Sequence, residues 1–100
     1  MYIILGEPAE ILQNEYTVLE LETFEQDGKA TTAYCVVPQE KILLTELPTL
    51  AADKQLHQFF IDKFKANQYN ECRLLIPQLM GKFGGELDSF YEIIAARLAQ

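Results

Sequence analysis

Two stretches in the first half of the chain are built mainly from residues that favour β-strands. Residues 15–25 and 29–37 are rich in Thr, Val, Tyr and Phe, and Asp27-Gly28 lies between them. An Asp-Gly pair is a common two-residue hairpin turn, because both residues tolerate a positive φ. The pattern therefore predicts an antiparallel hairpin with Asp27 and Gly28 at its tip.

This turn also predicts which residues of the hairpin lie opposite each other. The expected ladder pairs Gln26 with Lys29, Thr23 with Thr32, Leu21 with Tyr34 and Leu19 with Val36. One face of such a hairpin is apolar at its middle, and the other is mixed. We expect the apolar face to be covered by other parts of the chain.

Two further segments are candidate strands. Ile42 to Leu47 follows a turn at Pro38–Lys41 and is expected to extend the sheet as a meander, ending at Pro48. Tyr2 to Leu5 is a short strand candidate for an edge of the sheet. The stretch that follows it, as far as Asn14, could equally hold a helical turn.

The hydrophobic period changes to that of a helix after Thr49. The first predicted helix carries Ala52, Leu56, Phe59, Phe60 and Phe64 on one face. A second helix begins near Asn70 and is interrupted by Pro77; its apolar residues are Cys72, Leu75, Ile76 and Leu79. A third runs from Glu86 to Ala99, with a stripe formed by Leu87, Phe90, Tyr91, Ile94 and Leu98.

The order of strands first and helices afterwards predicts the α+β class. We expect a single domain over residues 1–100, with an antiparallel β-meander in residues 1–48. Residues 49–100 would supply three helices that cover one face of this sheet. A chain of this length can form one hydrophobic core.

The charge balance indicates which partners the chain would bind. Fifteen acidic residues against eight basic ones give a formal net charge of -7. Nucleic acids and anionic membranes are bound largely through Lys and Arg, so neither is an expected partner. A basic protein partner agrees better with this composition.

The compartment is predicted from the first residues and from the cysteines. The amino-terminal stretch has no basic lead before an apolar run, and no run approaches the length of a membrane span. Cys35 and Cys72 have neither disulfide nor zinc-site spacing, so we expect reduced, packed thiols. These features favour a soluble cytoplasmic protein without a metal or another cofactor.

Candidate catalytic residues are few. His57 is the single histidine, and it could serve as a base, a ligand or a pH switch, although a half-exposed structural position is the simpler interpretation. A thiol from Cys35 or Cys72 could in principle combine with His57 and Asp88, but no local motif supports such a triad. The sequence thus favours a protein that is not an enzyme.

One glycine-rich loop could hold a ligand. It consists of Lys82, Phe83, Gly84, Gly85 and Glu86, and Asp88 follows it. Backbone amides before a helix can bind an anion, yet the two carboxylates would repel a phosphate. A helix-to-helix turn is the simpler interpretation, and a binding loop that includes His57 is the alternative.

The leading functional hypothesis is a small acidic protein-interaction domain. Apolar residues cover a wide arc of the first predicted helix once Ile61 joins Phe60 and Phe64, so this patch could form a homodimer or bind a partner. An antagonist of the immunity-protein type would be one example. The alternatives are a ligand-binding or enzymatic domain with a pocket beside residues 81–88, and a structural subunit of a larger assembly.

Overall fold

The hairpin centred on Asp27-Gly28 is the middle of a three-stranded antiparallel sheet. In the computed structural model, which describes residues 1–99, the strands are β1 (Tyr2–Leu5), β2 (Thr17–Gln26) and β3 (Lys29–Val37). A short helix, α1 (Glu10–Glu15), connects β1 to β2. The strand order is β1-β3-β2, so β1 and β2 form the two edges.

Three longer helices cover one face of this sheet, which confirms the α+β class. They are α2 (Leu50–Lys65), α3 (Tyr69–Leu79) and α4 (Asp88–Leu98), each beginning within two residues of its predicted start. The predicted apolar faces of α3 and α4 are confirmed, since every residue assigned to them is buried. These faces pack with one side of β2 and β3 to form the core.

The predicted hairpin register holds only near the turn. Gln26 pairs with Lys29 and Thr23 with Thr32 as expected. Farther along, Leu19 lies opposite Cys35 and not opposite Val36. An irregularity between Glu20 and Thr23 places an extra residue in β2 and shifts the pairing by one.

This bulge decides which side chains enter the core. It puts Leu19 and Leu21 on the same face as Ala33, Cys35 and Val37, and all five are buried. A regular ladder would instead turn the two leucines away from this face of β3. The extra residue therefore brings the apolar sets of both strands together.

The prediction of a strand at Ile42 to Leu47 is wrong. The chain forms 3-10 turns at Gln39–Lys41 and Leu44–Thr49 instead, and the second contains Pro48. The free edge of β3 is occupied by β1, so the sheet has no place for this segment beside β3. Ile42 and Glu46 are buried here, whereas Leu43, Leu44 and Leu47 are exposed.

Helix α2 buries only part of its predicted face: Phe60 lies in the core, and Leu56 and Phe64 are half-buried against it. Ala52 and Phe59 are exposed, while Asp53 and His57 point inward and are buried. Both inward polar side chains have hydrogen-bond partners, which offsets the cost of burying them.

Within residues 1–99, no helix has both the length and the apolar content that crossing a membrane requires.

Candidate functional site

The sheet face that points away from the three long helices is lined by aromatic and aliphatic side chains. Tyr2 lies opposite Val36 and Ile4 opposite Tyr34 across the β1 and β3 pair. On β2, Val18 lies opposite Val36 and Glu20 opposite Tyr34, so both belong to the same face. We call this side of the sheet the open face.

Helix α1 crosses the open face and leaves a groove beside it. The groove has a volume of about 430 Å³ and is lined by Tyr2, Ile4, Leu12, Tyr16, Val36, Pro38 and Glu40. Leu12 faces the sheet, and the Gln39 side chain donates a hydrogen bond of 3.3 Å to the carbonyl of Glu15. This bond connects the end of α1 to the segment after β3, and both of these contribute residues to the groove lining.

A smaller and more polar cavity lies on the same face. It has a volume of about 230 Å³ and is lined by Glu7, Pro8, Gln13, Val18, Glu20, Tyr34 and Gln58. Its Glu20 carboxylate is paired with Lys65 of α2. Because one of its two carboxylates is already neutralised, this cavity offers less to a cation than its composition suggests.

The charge of the protein is concentrated in the half that forms the open face. Residues 1–40 contain eight acidic side chains and one basic side chain, Lys29. Residues 41–100 contain seven of each kind. The whole formal net charge therefore arises from the sheet half, and the helical half is balanced.

One of these carboxylates lines the groove, and three others lie on the neighbouring helix or just before it. Glu40 is exposed and lines the groove, Glu10 and Glu15 are exposed on α1, and Glu7 precedes that helix. Over the described part of the chain, none of these four takes part in an ion pair. The groove is thus a mainly apolar surface with one unpaired carboxylate, Glu40, in its lining.

The predicted binding loop is occupied by a side chain of the protein itself. The amides of Phe83 and Gly84 donate hydrogen bonds of 2.7 and 3.0 Å to the two carboxylate oxygens of Glu46. Glu46 is only 8% exposed. The anion-binding property expected of this loop is present, but it serves to attach the segment around Glu46 to the helical layer.

The remaining predicted loop residues also have internal partners. The Asp88 carboxylate accepts a hydrogen bond of 2.8 Å from the amide of Gly81, and the Lys82 ammonium lies 3.8 Å from Asp53. Glu86 pairs with the amino group of Met1, and Gly85 has a positive φ in the turn before α4. His57 is not part of this loop, although its ring contacts that of Phe83 edge to face.

His57 is buried at the centre of the core and not half-exposed as expected. Its Nε2 donates to the carbonyl of Glu20 at 2.6 Å, and its Nδ1 accepts a hydrogen bond from the Tyr91 hydroxyl at 2.8 Å. Burial lowers the pKa of His57 from its ordinary 6.5, an effect that the Glu20 carbonyl and carboxylate oppose. Both ring nitrogens are therefore used by the fold.

The two thiols are poorly placed to act as nucleophiles. Cys35 and Cys72 are both fully buried, and burial raises the pKa of Cys35 to about 11. The reactive form of cysteine is the thiolate, which is scarce at neutral pH when the pKa is so high. With both His57 nitrogens occupied, the geometry offers no base for a cysteine–histidine pair.

The predicted interface on α2 offers little surface. Phe60 and Ile61 are 0% and 2% exposed and belong to the core, whereas Phe64 is half-buried beside Tyr69.

Among residues 1–99, no three His, Cys, Asp or Glu side chains come together as a metal site would require. None of the binding or interface residues predicted from the sequence lines the groove on the open face.

Searches of protein-family models, curated proteins and solved structures found no match to this chain. The groove itself combines β1 and α1 with the end of β3 and the segment after it, which come much later in the chain. The one sequence signal that pointed to this region was its charge, since acidic residues outnumber basic ones so strongly before residue 41.

Proposed function

We propose that this protein is a non-enzymatic interaction domain that binds a basic segment of a partner protein in the groove on the open face. The observation that carries this proposal is an apolar groove lined by the unpaired carboxylate of Glu40, in the half of the chain that holds the whole net negative charge. Apolar burial supplies most of the free energy of such an association. The carboxylates select partners that carry Lys or Arg.

The apolar part of the groove is suited to side chains of moderate size. Tyr2, Tyr16 and Leu12 offer aromatic and aliphatic surface, and Tyr2 is 66% exposed in the free protein. Tyrosine is frequent at the energetic centre of interfaces, because it combines a large apolar area with a hydroxyl. We expect an aliphatic or aromatic side chain of the partner to cover Tyr2.

The electrostatic part acts over a longer distance. A domain whose net negative charge comes from one half presents that half to a basic partner and accelerates encounter. An acidic domain bound in this way competes with the partner's own anionic ligands. An antagonist of a basic protein is therefore one form that this function can take.

The test is a selection from a random peptide display library, with the whole protein as bait. We expect enrichment of peptides in which Lys or Arg stands next to Leu, Ile or Phe, and weaker binding as salt is added. Tyr2→Ala is expected to weaken binding about tenfold. Glu40→Lys is expected to weaken it about fivefold or more, since a rim ion pair contributes about 1 kcal/mol.

The matched control is Glu71→Lys, which makes the same charge change at an exposed position of α3. It is expected to leave affinity within about twofold of the wild type, because it lies in the balanced helical half. Equal losses in Glu40→Lys and Glu71→Lys would show that only net charge matters and would contradict a groove site. Failure to enrich any basic peptide would contradict the proposed partner class.

A further inference from the structure

The outer edge of β1 carries backbone groups that no other strand of the described chain satisfies. The amide of Gly6 donates to the carbonyl of Thr32, and the register continues this pattern to the pairs of Ile4 and Tyr2 with β3. Hydrogen-bonded and non-hydrogen-bonded pairs alternate in an antiparallel ladder. The N–H and C=O groups of Ile3 and Leu5 therefore point away from the sheet.

Apart from its short length of four residues, this edge has none of the usual features that prevent strand pairing. Tyr2–Leu5 contains no charged residue, no proline and no bulge. The exposed fractions of Tyr2, Ile3 and Leu5 are 66%, 54% and 57%. An edge of this kind is a template for another strand.

We propose that the strand that pairs there is β1 of a second copy of this chain, in antiparallel orientation about a two-fold axis. With Ile4 opposite Ile4 at the axis, Ile3 of each copy lies opposite Leu5 of the other. Each such pair exchanges two hydrogen bonds, so all four outward N–H groups and all four outward C=O groups of the two strands are satisfied. The two sheets become one sheet of six strands.

The chemistry of the edge favours this occupant over a basic peptide. The side chains that meet across the axis are uncharged and apolar, so a second copy matches them and a cationic residue gains nothing there. The paired segment is only four residues long, whereas a stable interface buries about 800 Å² per partner. We therefore expect a reversible, concentration-dependent dimer. This inference does not depend on the proposed function.

The response to added salt distinguishes dimerisation through β1 from binding of a basic segment in the groove. Each copy has a formal net charge of -7, so the copies repel each other, and added salt screens that repulsion. The dimer should therefore strengthen with salt, whereas binding of a basic segment to the groove should weaken. The dimer can therefore be disproved without any consequence for the proposed groove binding, and the reverse also holds.

The experiment is sedimentation equilibrium of the whole untagged chain over a wide range of concentration and at low and high salt. Ile3→Pro removes one outward donor and leaves the bonds to β3 intact, and Leu5→Lys adds a charge without changing the backbone. Both should remain monomeric where the wild type dimerises. The control, Leu74→Lys, changes a side chain on α3 that is 71% exposed, and it should dimerise like the wild type.

Hydrogen exchange gives a readout that needs no variant. As the concentration rises, the amides of Ile3 and Leu5 should gain protection, while that of Ile4, already bonded to β3, should change little. A wild type that stays monomeric at all concentrations and salt levels overturns the proposal. So does a dimer that persists in Leu5→Lys or leaves the Ile3 and Leu5 amides unprotected.

Discussion

Tyr91 on α4 and His57 on α2 are joined in the core by a hydrogen bond of 2.8 Å. The Glu20 carbonyl can only accept, so Nε2 of His57 carries the proton and Nδ1 accepts from the Tyr91 hydroxyl. Strand β2 and two helices are thereby linked through one imidazole. Since Tyr91 and His57 are 0% and 1% exposed, water cannot replace either bond.

Tyr91→Phe tests this link, because it removes the hydroxyl and leaves Nδ1 of His57 buried without a donor. We expect the free energy of unfolding to fall by about 1 to 3 kcal/mol, the usual cost of an unsatisfied buried group. Urea denaturation measures this loss of stability, provided that the unfolding free energy of both proteins falls with urea concentration at the same slope. Tyr69→Phe is the control, since its hydroxyl bonds to Asn67 at an exposed site and its loss should cost less than about 0.5 kcal/mol. Equal effects in both variants would contradict the account of the core.

The pH dependence of His57 follows from its burial. Its pKa in the native protein is lowered from 6.5, so below that pH the unfolded chain binds a proton that the native protein does not. The stability due to neutral His57 is complete above pH 6.5 and declines as the pH falls, by at most about 1.4 kcal/mol per pH unit. The imidazole proton resonances of this single histidine report the midpoint. A midpoint at or above 6.5 would contradict the buried, neutral imidazole.

Glu46→Gln tests the role of the buried carboxylate. The amide side chain can accept from only one of the two backbone N–H groups of Phe83 and Gly84, and its NH₂ group faces the other. We expect a loss of about 2 to 3 kcal/mol, since hydrogen bonds to a charged acceptor are the stronger kind. Chemical denaturation measures the loss. Glu92→Gln, at an exposed site on α4, should change stability little, and a similar loss there would contradict the assignment.

Gly84→Ala tests the close contact between the same loop and the segment before Glu46. A Cβ atom at position 84 would lie 1.9 Å from the carbonyl oxygen of Lys41, a distance that requires the backbone to move. Gly81 also has a positive φ, but a Cβ there would meet nothing within 4 Å. Gly81→Ala should therefore cost only the strain of the left-handed conformation, about 1 to 2 kcal/mol. Gly84→Ala should cost clearly more in thermal denaturation, and equal melting temperatures would contradict the contact.

Much of the helical layer could be predicted because its apolar residues follow a simple period. The inward faces of α3 and α4 consist almost wholly of hydrophobic residues. On α2 the same reasoning was only partly right: it placed Phe60 in the core but left out Asp53 and His57, because both are polar. Glu20 and Tyr91, the hydrogen-bond partners of His57, are more than thirty residues away, and no local pattern predicts them.

The sheet was predictable near its turn and not beyond it. Asp27-Gly28 fixes the pairing of Gln26 with Lys29, but the bulge after Glu20 depends on which side chains fit beneath the helices. The strand predicted at Ile42 to Leu47 failed for a related reason. Its place beside β3 belongs to β1, and Glu46 turns inward to reach loop amides almost forty residues away.

The groove could not be predicted from periodicity, because each wall comes from a different element. Tyr2 and Ile4 on β1 meet Leu12 on α1 only after β1 has paired with β3. The sequence did indicate a basic partner through its net charge. The place where that partner would bind required the fold.

The central claim is that the groove on the open face receives a basic segment. It is tested most directly by titrating the isotopically labelled protein with the tightest peptide from the library selection and following backbone amide resonances. The account predicts saturable shifts concentrated in β1, α1 and the end of β3, at one peptide per protein chain. Shifts concentrated on α3 and α4, with the groove residues unmoved, would contradict it.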